Sequence, residues 1–125
     1  MTEERITNET TGGEKGRKLA RFDLVPPEAM WALAEAFGAG AAKYSDRNWE
    51  RGYDWSLSYG ALQRHLWQFW NGEDIDAETG TPHIVSAMWH CAVLTTYQLS
   101  GNVQFDDRPT YFSGTPLEEL RGAEE

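Results

Sequence analysis

Cysteine, long apolar runs and positive charge are all scarce in this sequence. The single cysteine, Cys91, excludes a disulfide within the chain and a cysteine-rich zinc site. Because Cys91 lies in an apolar run, we expect a buried and unreactive thiol. The longest strongly apolar stretch, residues 84–94, is interrupted by Ser86 and His90 and is far too short to span a bilayer. The sequence therefore predicts no membrane partner.

The shortage of positive charge also limits the class of partner. The chain has 11 Lys and Arg against 20 Asp and Glu, a formal net charge of −9. This charge disfavours binding to a nucleic-acid polymer. It does not exclude a nucleotide, because bound divalent ions reverse the local sign of an acidic site. No basic-then-apolar signal segment opens the chain, so we expect a cytoplasmic location, in the host cell if the chain is phage-encoded.

The apolar pattern that is present has helical spacing. Apolar positions three and four residues apart predict helices over residues 27–44, 56–71 and 82–100. No alternating run favours a strand, so the predicted fold is a compact all-α domain. The predicted organisation is a flexible arm over residues 1–16, a catalytic domain over 17–100 and an irregular acidic tail over 101–125. With six Trp, such a small domain has more apolar surface than it can bury alone, which predicts a dimer or tetramer.

Four acids lie together between the second and third predicted helices. They are Glu73, Asp74, Asp76 and Glu78. An EF-hand starting at Asp74 would need Gly and Glu where Thr79 and Val85 stand, so that type of site is excluded. A solvated loop and a cation site both remain open. The cation site is favoured because the four carboxylates repel one another. A magnesium ion relieves this repulsion and can bind substrate phosphates at the same time.

Histidines flank these acids on both sides. His83, Ser86 and His90 share one stripe of the third helix, which indicates a polar cavity, although ordinary core histidines are an alternative. In the second helix, Arg64 lies either at the surface or facing an anion. His65 beside it is close enough to the acidic stretch to share a site.

Cations alternate with planar side chains in the segment KYSDRNW. Its candidates for nucleotide contacts are Lys43, Tyr44, Arg47, Asn48 and Trp49. Positive charge suits phosphate, and a ring or amide suits the base. A capped helix end followed by a surface turn explains the segment equally well. Elsewhere the chain has no GxSxG, no phosphate-binding loop and no HExxH motif.

Taken in order, three long blocks of the chain resemble one known family. The blocks are GRKLARFDLVPPEAM, FGAGAAKYSDRNWERG and YGALQRHLWQFWNGEDIDAETGTPH, followed by a helical run. Over roughly residues 16–97, the chain resembles the dATP/dGTP diphosphohydrolases, a phage family of MazG-like all-α nucleotide pyrophosphohydrolases. The resemblance implies an oligomeric, metal-dependent enzyme that cuts a purine deoxynucleoside triphosphate to the monophosphate and pyrophosphate. Such an enzyme serves control of the phage nucleotide pool.

The resemblance also implies roles for individual residues. The wider superfamily binds magnesium through an ExxE…ExxD pattern, and Glu73 with Asp76 matches its second element. The folded region has no upstream ExxE, so Glu35 is the expected supplementary ligand and Glu78 a further one. His83 and Arg64 match the phage family's motif. Ser86 and His90 depart from its more usual His and Asn, which is expected to affect specificity.

The expected mechanism uses about two or three Mg²⁺ or Mn²⁺ ions that generate hydroxide for attack on the α-phosphorus. The expected catalytic residues are Glu73, Asp76, His83 and Arg64. The expected substrate-binding residues are Lys43, Tyr44, Arg47, Asn48, Trp49 and His65. Two alternatives stay open: a non-enzymatic phage accessory or binding module, and the same chemistry on a pyrimidine or modified nucleotide.

Overall fold

Three helices form most of the fold in the computed structural model, which describes residues 3–109. They are α1 (Pro27–Lys43), α2 (Trp55–Trp70) and α3 (His83–Leu99). Each predicted boundary is within one residue of the observed one, so the prediction of three main helices is confirmed. The sequence places α1 clearly, since Pro27 occupies its first turn and Glu28 lies at the positive end of the helix dipole.

The prediction that the chain is entirely helical is wrong at its N-terminal end. Strand β1 (Glu3–Thr7) pairs antiparallel with β2 (Glu14–Lys18) in a hairpin. The side chain of Asn8 shapes the turn by accepting hydrogen bonds from the N–H groups of Thr10 and Thr11, each at 3.0 Å. Both faces of this hairpin are mostly exposed and polar, so its sequence lacks the apolar alternation by which strands are recognised.

The core lies where α3 packs against both α1 and α2. Its buried centre consists of Trp55, Val93 and Tyr97, surrounded by further aromatic side chains. The hydroxyl of Tyr97 donates a hydrogen bond to the backbone carbonyl of Trp49, which ties the loop after α1 to the core. Helix α3 is the most buried of the three, because it supplies five of the buried residues, against three from α2 and none from α1.

The exposure of Cys91 on α3 contradicts a prediction made from the sequence. Cys91 is exposed, so the prediction of a buried thiol is wrong. An apolar run on a helix contains residues of every face, and the run alone does not show that Cys91 points away from Val93 and the core.

Within residues 3–109, no helix is long and apolar enough to cross a membrane. Residues 110–125 of the predicted acidic tail lie outside the described residues.

The N-terminus of α2 is capped by a residue far along the chain. The carboxylate of Asp107 accepts a hydrogen bond from the N–H of Ser56 at 2.9 Å and a second from the Ser56 hydroxyl. The adjacent Asp54 occupies the usual capping position but makes no side-chain capping bond. The segment after α3 therefore holds the start of α2 in place.

We expect Asp107→Ala to lower the Tm by about 4 °C, since it leaves the N–H and the hydroxyl of Ser56 without their acceptor. Differential scanning calorimetry of the purified variant measures the change. The matched control is Asp54→Ala, which removes a carboxylate from the same helix end and should leave the Tm unchanged. An equal loss in both variants would contradict the assignment of Asp107 as the cap.

Candidate functional site

The acidic stretch forms a closed loop between α2 and α3. Ile75 and Pro82 pair as an isolated antiparallel bridge, and the N–H of Asp76 donates to the Thr81 carbonyl at 3.0 Å. The N–H of His83 donates to the carbonyl of Asp74 at 2.9 Å. These bonds bring the end of α2 and the start of α3 to the same place.

Loop closure separates the four acids by environment. Asp76 is only 6% exposed, whereas Glu73, Asp74 and Glu78 are exposed. The Asp76 Oδ1 accepts a hydrogen bond from the N–H of Glu78 at 2.9 Å. This bond lowers the pKa of Asp76, and the nearby His83 contributes in the same direction. Asp76 is therefore a buried carboxylate whose negative charge is stabilised by the backbone N–H of Glu78.

Two histidines from different helices meet beside this carboxylate. The Nδ1 atoms of His65 on α2 and His83 on α3 are 2.9 Å apart. His83 is 0% exposed, and its Nε2 lies 3.3 Å from Glu73 Oε1. That contact is not aligned as a hydrogen bond, so Nε2 is buried without a hydrogen-bond partner. His65, Asp76 and His83 each offer one ligand atom within 4.8 Å of the others, which is a spacing that suits one metal ion.

Arg64 lies beside the histidine pair at the surface. Its Nη1 donates to Gln68 Oε1 at 3.2 Å, and its Nη2 lies 3.4 Å from His65 Nε2. Burial lowers the pKa of His65, and the positive charge of Arg64 lowers it further. Both effects favour the neutral form of the His65 imidazole.

Two adjoining cavities open next to this cluster. The larger has a volume of about 790 Å³ and lies between α1, the loop after it, α2 and α3. The smaller has a volume of about 440 Å³ and reaches towards the acidic loop. Four residues line both cavities: Gly40, Tyr44, Trp89 and His90. Together the cavities form one elongated, partly aromatic cleft.

The cleft brings together all six residues expected to bind substrate. The larger cavity is lined by Tyr44, Arg47, Asn48 and Trp49, and the smaller by Lys43, Tyr44 and His65. A left-handed backbone conformation at Arg47, with φ of 55°, turns the chain after α1 so that a short 3-10 helix at Asn48–Arg51 faces the cleft. The segment is therefore both a helix end and a cavity wall, and the two explanations considered for it are compatible.

Three residues of the cleft were missed by the sequence interpretation: Tyr53, Ser58 and Trp89. The Ser58 hydroxyl is fully buried and contacts both the hydroxyl of Tyr53 and, at 2.9 Å, the Nδ1 of His90. Ser58 precedes His65 by two helical turns, and this spacing was the available signal that it shares a face with His65. Trp89 had no such signal, since one aromatic among many does not identify a cavity wall.

The family model described as dATP/dGTP diphosphohydrolase, N-terminal, matches residues 9–108. The chain belongs to this family. The match includes the cleft, the histidine pair and the acidic loop. No curated protein and no solved structure was found to match the chain.

The dATP/dGTP diphosphohydrolase match leaves the individual ligand assignments as predictions. Glu78 and Ser86 line the smaller cavity. Glu35 is exposed on α1 and lines neither of the two cavities. Within residues 3–109, the structure therefore groups Asp76 with His65 and His83, and Glu73 with His83, rather than either acid with Glu35.

Acidic pH should lower the stability of the folded protein through protonation of His90. Burial lowers the pKa of His90 to about 4 from an ordinary value of 6.5. Between these values the unfolded chain binds a proton at this residue and the folded chain does not. The free energy of unfolding should therefore fall by about 1–2 kcal/mol as pH decreases from 6.5 to 4, and recover as pH rises. Urea denaturation of metal-free protein across this range measures the effect. His90→Asn should flatten this part of the pH dependence; an unchanged pH dependence would contradict the assignment.

Proposed function

We propose that this protein is a metal-dependent hydrolase that converts dATP or dGTP to the monophosphate and pyrophosphate. One observation carries most of the proposal: a buried carboxylate and two histidines adjoin a cleft lined by every residue expected to contact a nucleotide. Membership of the dATP/dGTP diphosphohydrolase family supports the same reaction. A binding module needs no such buried ionisable cluster.

The shape of the cleft suggests how the substrate lies. At about 790 Å³, the larger cavity is of the size of ordinary small-molecule pockets, which are about 300–1,000 Å³. The rings of Tyr44 and Trp49 offer surfaces for a purine, and Asn48 offers hydrogen bonds to base or sugar. The triphosphate then extends into the smaller cavity, towards Lys43 and the acidic loop.

Mg²⁺ or Mn²⁺ fits the carboxylates at the phosphate end. Asp76 and Glu73 would hold the ions, with Glu78, which lines the smaller cavity, as a further candidate. When bound, such ions neutralise phosphate oxygens and lower the pKa of a bound water. The hard oxygen donors of these side chains are the type that both ions prefer.

The chain's own residues then position the reacting groups. Lys43 and Arg47 attract the phosphate oxygens, and Arg64 adds positive charge at the outer edge of the site. His83 lies next to the carboxylate of Glu73, with its Nε2 3.3 Å from Glu73 Oε1. In the reaction, water adds to the α-phosphorus and the bond to the bridging oxygen breaks, which releases pyrophosphate with the electron pair of that bond.

The exposed aromatic side chains support a homo-oligomer. Trp31, Trp67 and Trp70 are 74%, 70% and 85% exposed, which is unusual for residues of this size. A dimer or tetramer would cover some of this surface. We place the enzyme in the cytoplasm of a phage-infected host, where removal of dATP and supply of dGMP would serve a phage that uses a modified purine in its DNA.

Initial rates against a nucleotide panel test the proposed activity. The four deoxynucleoside triphosphates are each supplied with Mg²⁺, with Mn²⁺ or with EDTA, and pyrophosphate release is measured. We expect turnover of dATP or dGTP that requires a metal ion. Turnover of pyrimidine nucleotides alone would contradict the substrate class, and binding without turnover would favour the accessory-module alternative.

A further inference from the structure

We propose that His65, His83 and Asp76 form a binding site for one transition-metal ion of the Mn²⁺ or Co²⁺ type. This site differs in donor chemistry from the carboxylates proposed to hold Mg²⁺, because two of its three ligands are imidazoles. Imidazole nitrogen suits Co²⁺ and the later first-row metals, and Mn²⁺ accepts a mixed set of imidazole and carboxylate ligands, whereas Mg²⁺ favours oxygen alone. The two kinds of site meet at Asp76. The inference concerns metal binding and stands without the proposed hydrolytic activity.

The separation of the two imidazole nitrogens suits adjacent ligands on one ion. The Nδ1 atoms of His65 and His83 are 2.9 Å apart. With metal–nitrogen bonds of about 2.1 Å, this separation corresponds to an angle of roughly 90° at the ion. Such an angle is that of neighbouring positions in octahedral coordination. In the absence of an ion the two nitrogens share a hydrogen bond, whose proton an ion would replace. Tetrahedral Zn²⁺ would need the nitrogens about 3.4 Å apart, so a six-coordinate ion requires the smaller adjustment.

The three ligands are held in place before any ion binds. Their exposed fractions are 5% for His65, 0% for His83 and 6% for Asp76, so neighbouring atoms fix the rotamers. Backbone hydrogen bonds at both ends of the loop fix the position of Asp76 relative to α3. A preformed site of this kind loses little side-chain entropy when an ion is bound.

The outer nitrogen of His83 supplies an independent argument. Ligation through Nδ1 leaves the proton of a neutral imidazole on Nε2, which faces Glu73 Oε1 at 3.3 Å. Metal-bound histidines commonly turn their second N–H towards a carboxylate, which fixes the ring and strengthens the ligand. The Nε2 of His83 is otherwise a buried polar atom without a hydrogen-bond partner. A metal ion bound at Nδ1 would explain why the Nε2 of His83 is buried next to the carboxylate of Glu73.

Among residues 3–109, Arg64 is the cation next to the ligands whose charge opposes the ion. Ligation through Nδ1 places a proton on His65 Nε2, which lies 3.4 Å from the Arg64 guanidinium. Arg64 is exposed and also bound to Gln68, so it can turn away without disturbing the core. Removing this cation in Arg64→Gln should therefore keep or increase the affinity for the ion.

A cobalt titration of the full chain tests the site directly. Visible absorption follows Co²⁺ binding to metal-free protein in the presence of excess Mg²⁺. We expect one Co²⁺ per chain, a d–d spectrum of low intensity typical of six-coordination, and an affinity at least about tenfold lower in His83→Gln. His90→Asn is the matched control, since it changes a neighbouring histidine outside the ligand set and should bind Co²⁺ normally.

A second measurement on the unaltered protein covers the case in which His83→Gln fails to fold. Pulsed electron paramagnetic resonance of bound Mn²⁺ detects directly coordinated imidazole nitrogen, and we expect that coupling. Absence of nitrogen coupling, displacement of Co²⁺ by Mg²⁺, or equal affinity in a folded His83→Gln variant would each overturn the proposal. Loss of nucleotide hydrolysis with Co²⁺ binding retained would count against the proposed function alone.

Discussion

Asp76→Asn should reduce kcat for dATP or dGTP hydrolysis by at least about a hundredfold at saturating Mg²⁺. Asp76 is the only one of the four clustered acids that is buried, and it is the one grouped with both histidines. Asparagine keeps a carbonyl oxygen that can accept the hydrogen bond from the Glu78 N–H, so the loop should still close. The substitution therefore removes the negative charge and leaves the shape. Steady-state kinetics with circular dichroism of both proteins separates lost chemistry from lost fold.

The matched control for this prediction is Asp74→Asn. Asp74 is exposed and takes part in loop closure through its backbone carbonyl, which the substitution preserves. Its activity should stay within about twofold of the unaltered protein. If the two variants lost activity equally, the distinction between a buried ligand and a solvated acid would be wrong.

Gly52→Ala should lower the free energy of unfolding by about 2–4 kcal/mol, the largest stability effect we expect from one added methyl group. Gly52 has a φ of +93°, where side chains are disfavoured. A Cβ at this position would also lie 2.9 Å from two ring atoms of Phe105, which packs against the core. Both backbone and packing therefore oppose the substitution. Urea denaturation followed by tryptophan fluorescence measures the loss.

Gly60→Ala, in the neighbouring helix α2, should have the opposite effect on the free energy of unfolding. Gly60 is an exposed residue within α2, and a Cβ there meets nothing within 4 Å. Alanine should stabilise the helix by about 0.5–1 kcal/mol, because glycine is the poorer helix former. A Gly52→Ala variant as stable as Gly60→Ala would show that the loop before α2 can move away from Phe105.

The helices could be predicted from sequence because each carries its own local signals. Pro27 marks the first turn of α1, and apolar spacing reveals all three helices. The hairpin could not, since its stabilising contacts are turn hydrogen bonds at Asn8 and pairings between polar strands. For Cys91, the surrounding apolar run predicted burial, but the packing direction of α3 decides which face of the helix is exposed to solvent.

The candidate site divides in the same way. The segment from Lys43 to Trp49 and the acidic loop stand out locally, because charge and aromatic residues are concentrated there. The pairing of His65 with His83 depends on the closed loop, which brings together two helices whose histidines are 18 residues apart. Sequence spacing does not report such a contact. The contact of Ser58 with His90 is of the same long-range kind.

The central claim is that this protein cleaves a purine deoxynucleoside triphosphate between the α- and β-phosphates. Phosphorus-31 NMR of a dGTP or dATP reaction with Mg²⁺ identifies the products directly. The account predicts the appearance of the nucleoside monophosphate and pyrophosphate in equal amounts, with no diphosphate or orthophosphate accumulating. Formation of dGDP or dADP with orthophosphate, or an unchanged triphosphate spectrum with either nucleotide, would contradict it.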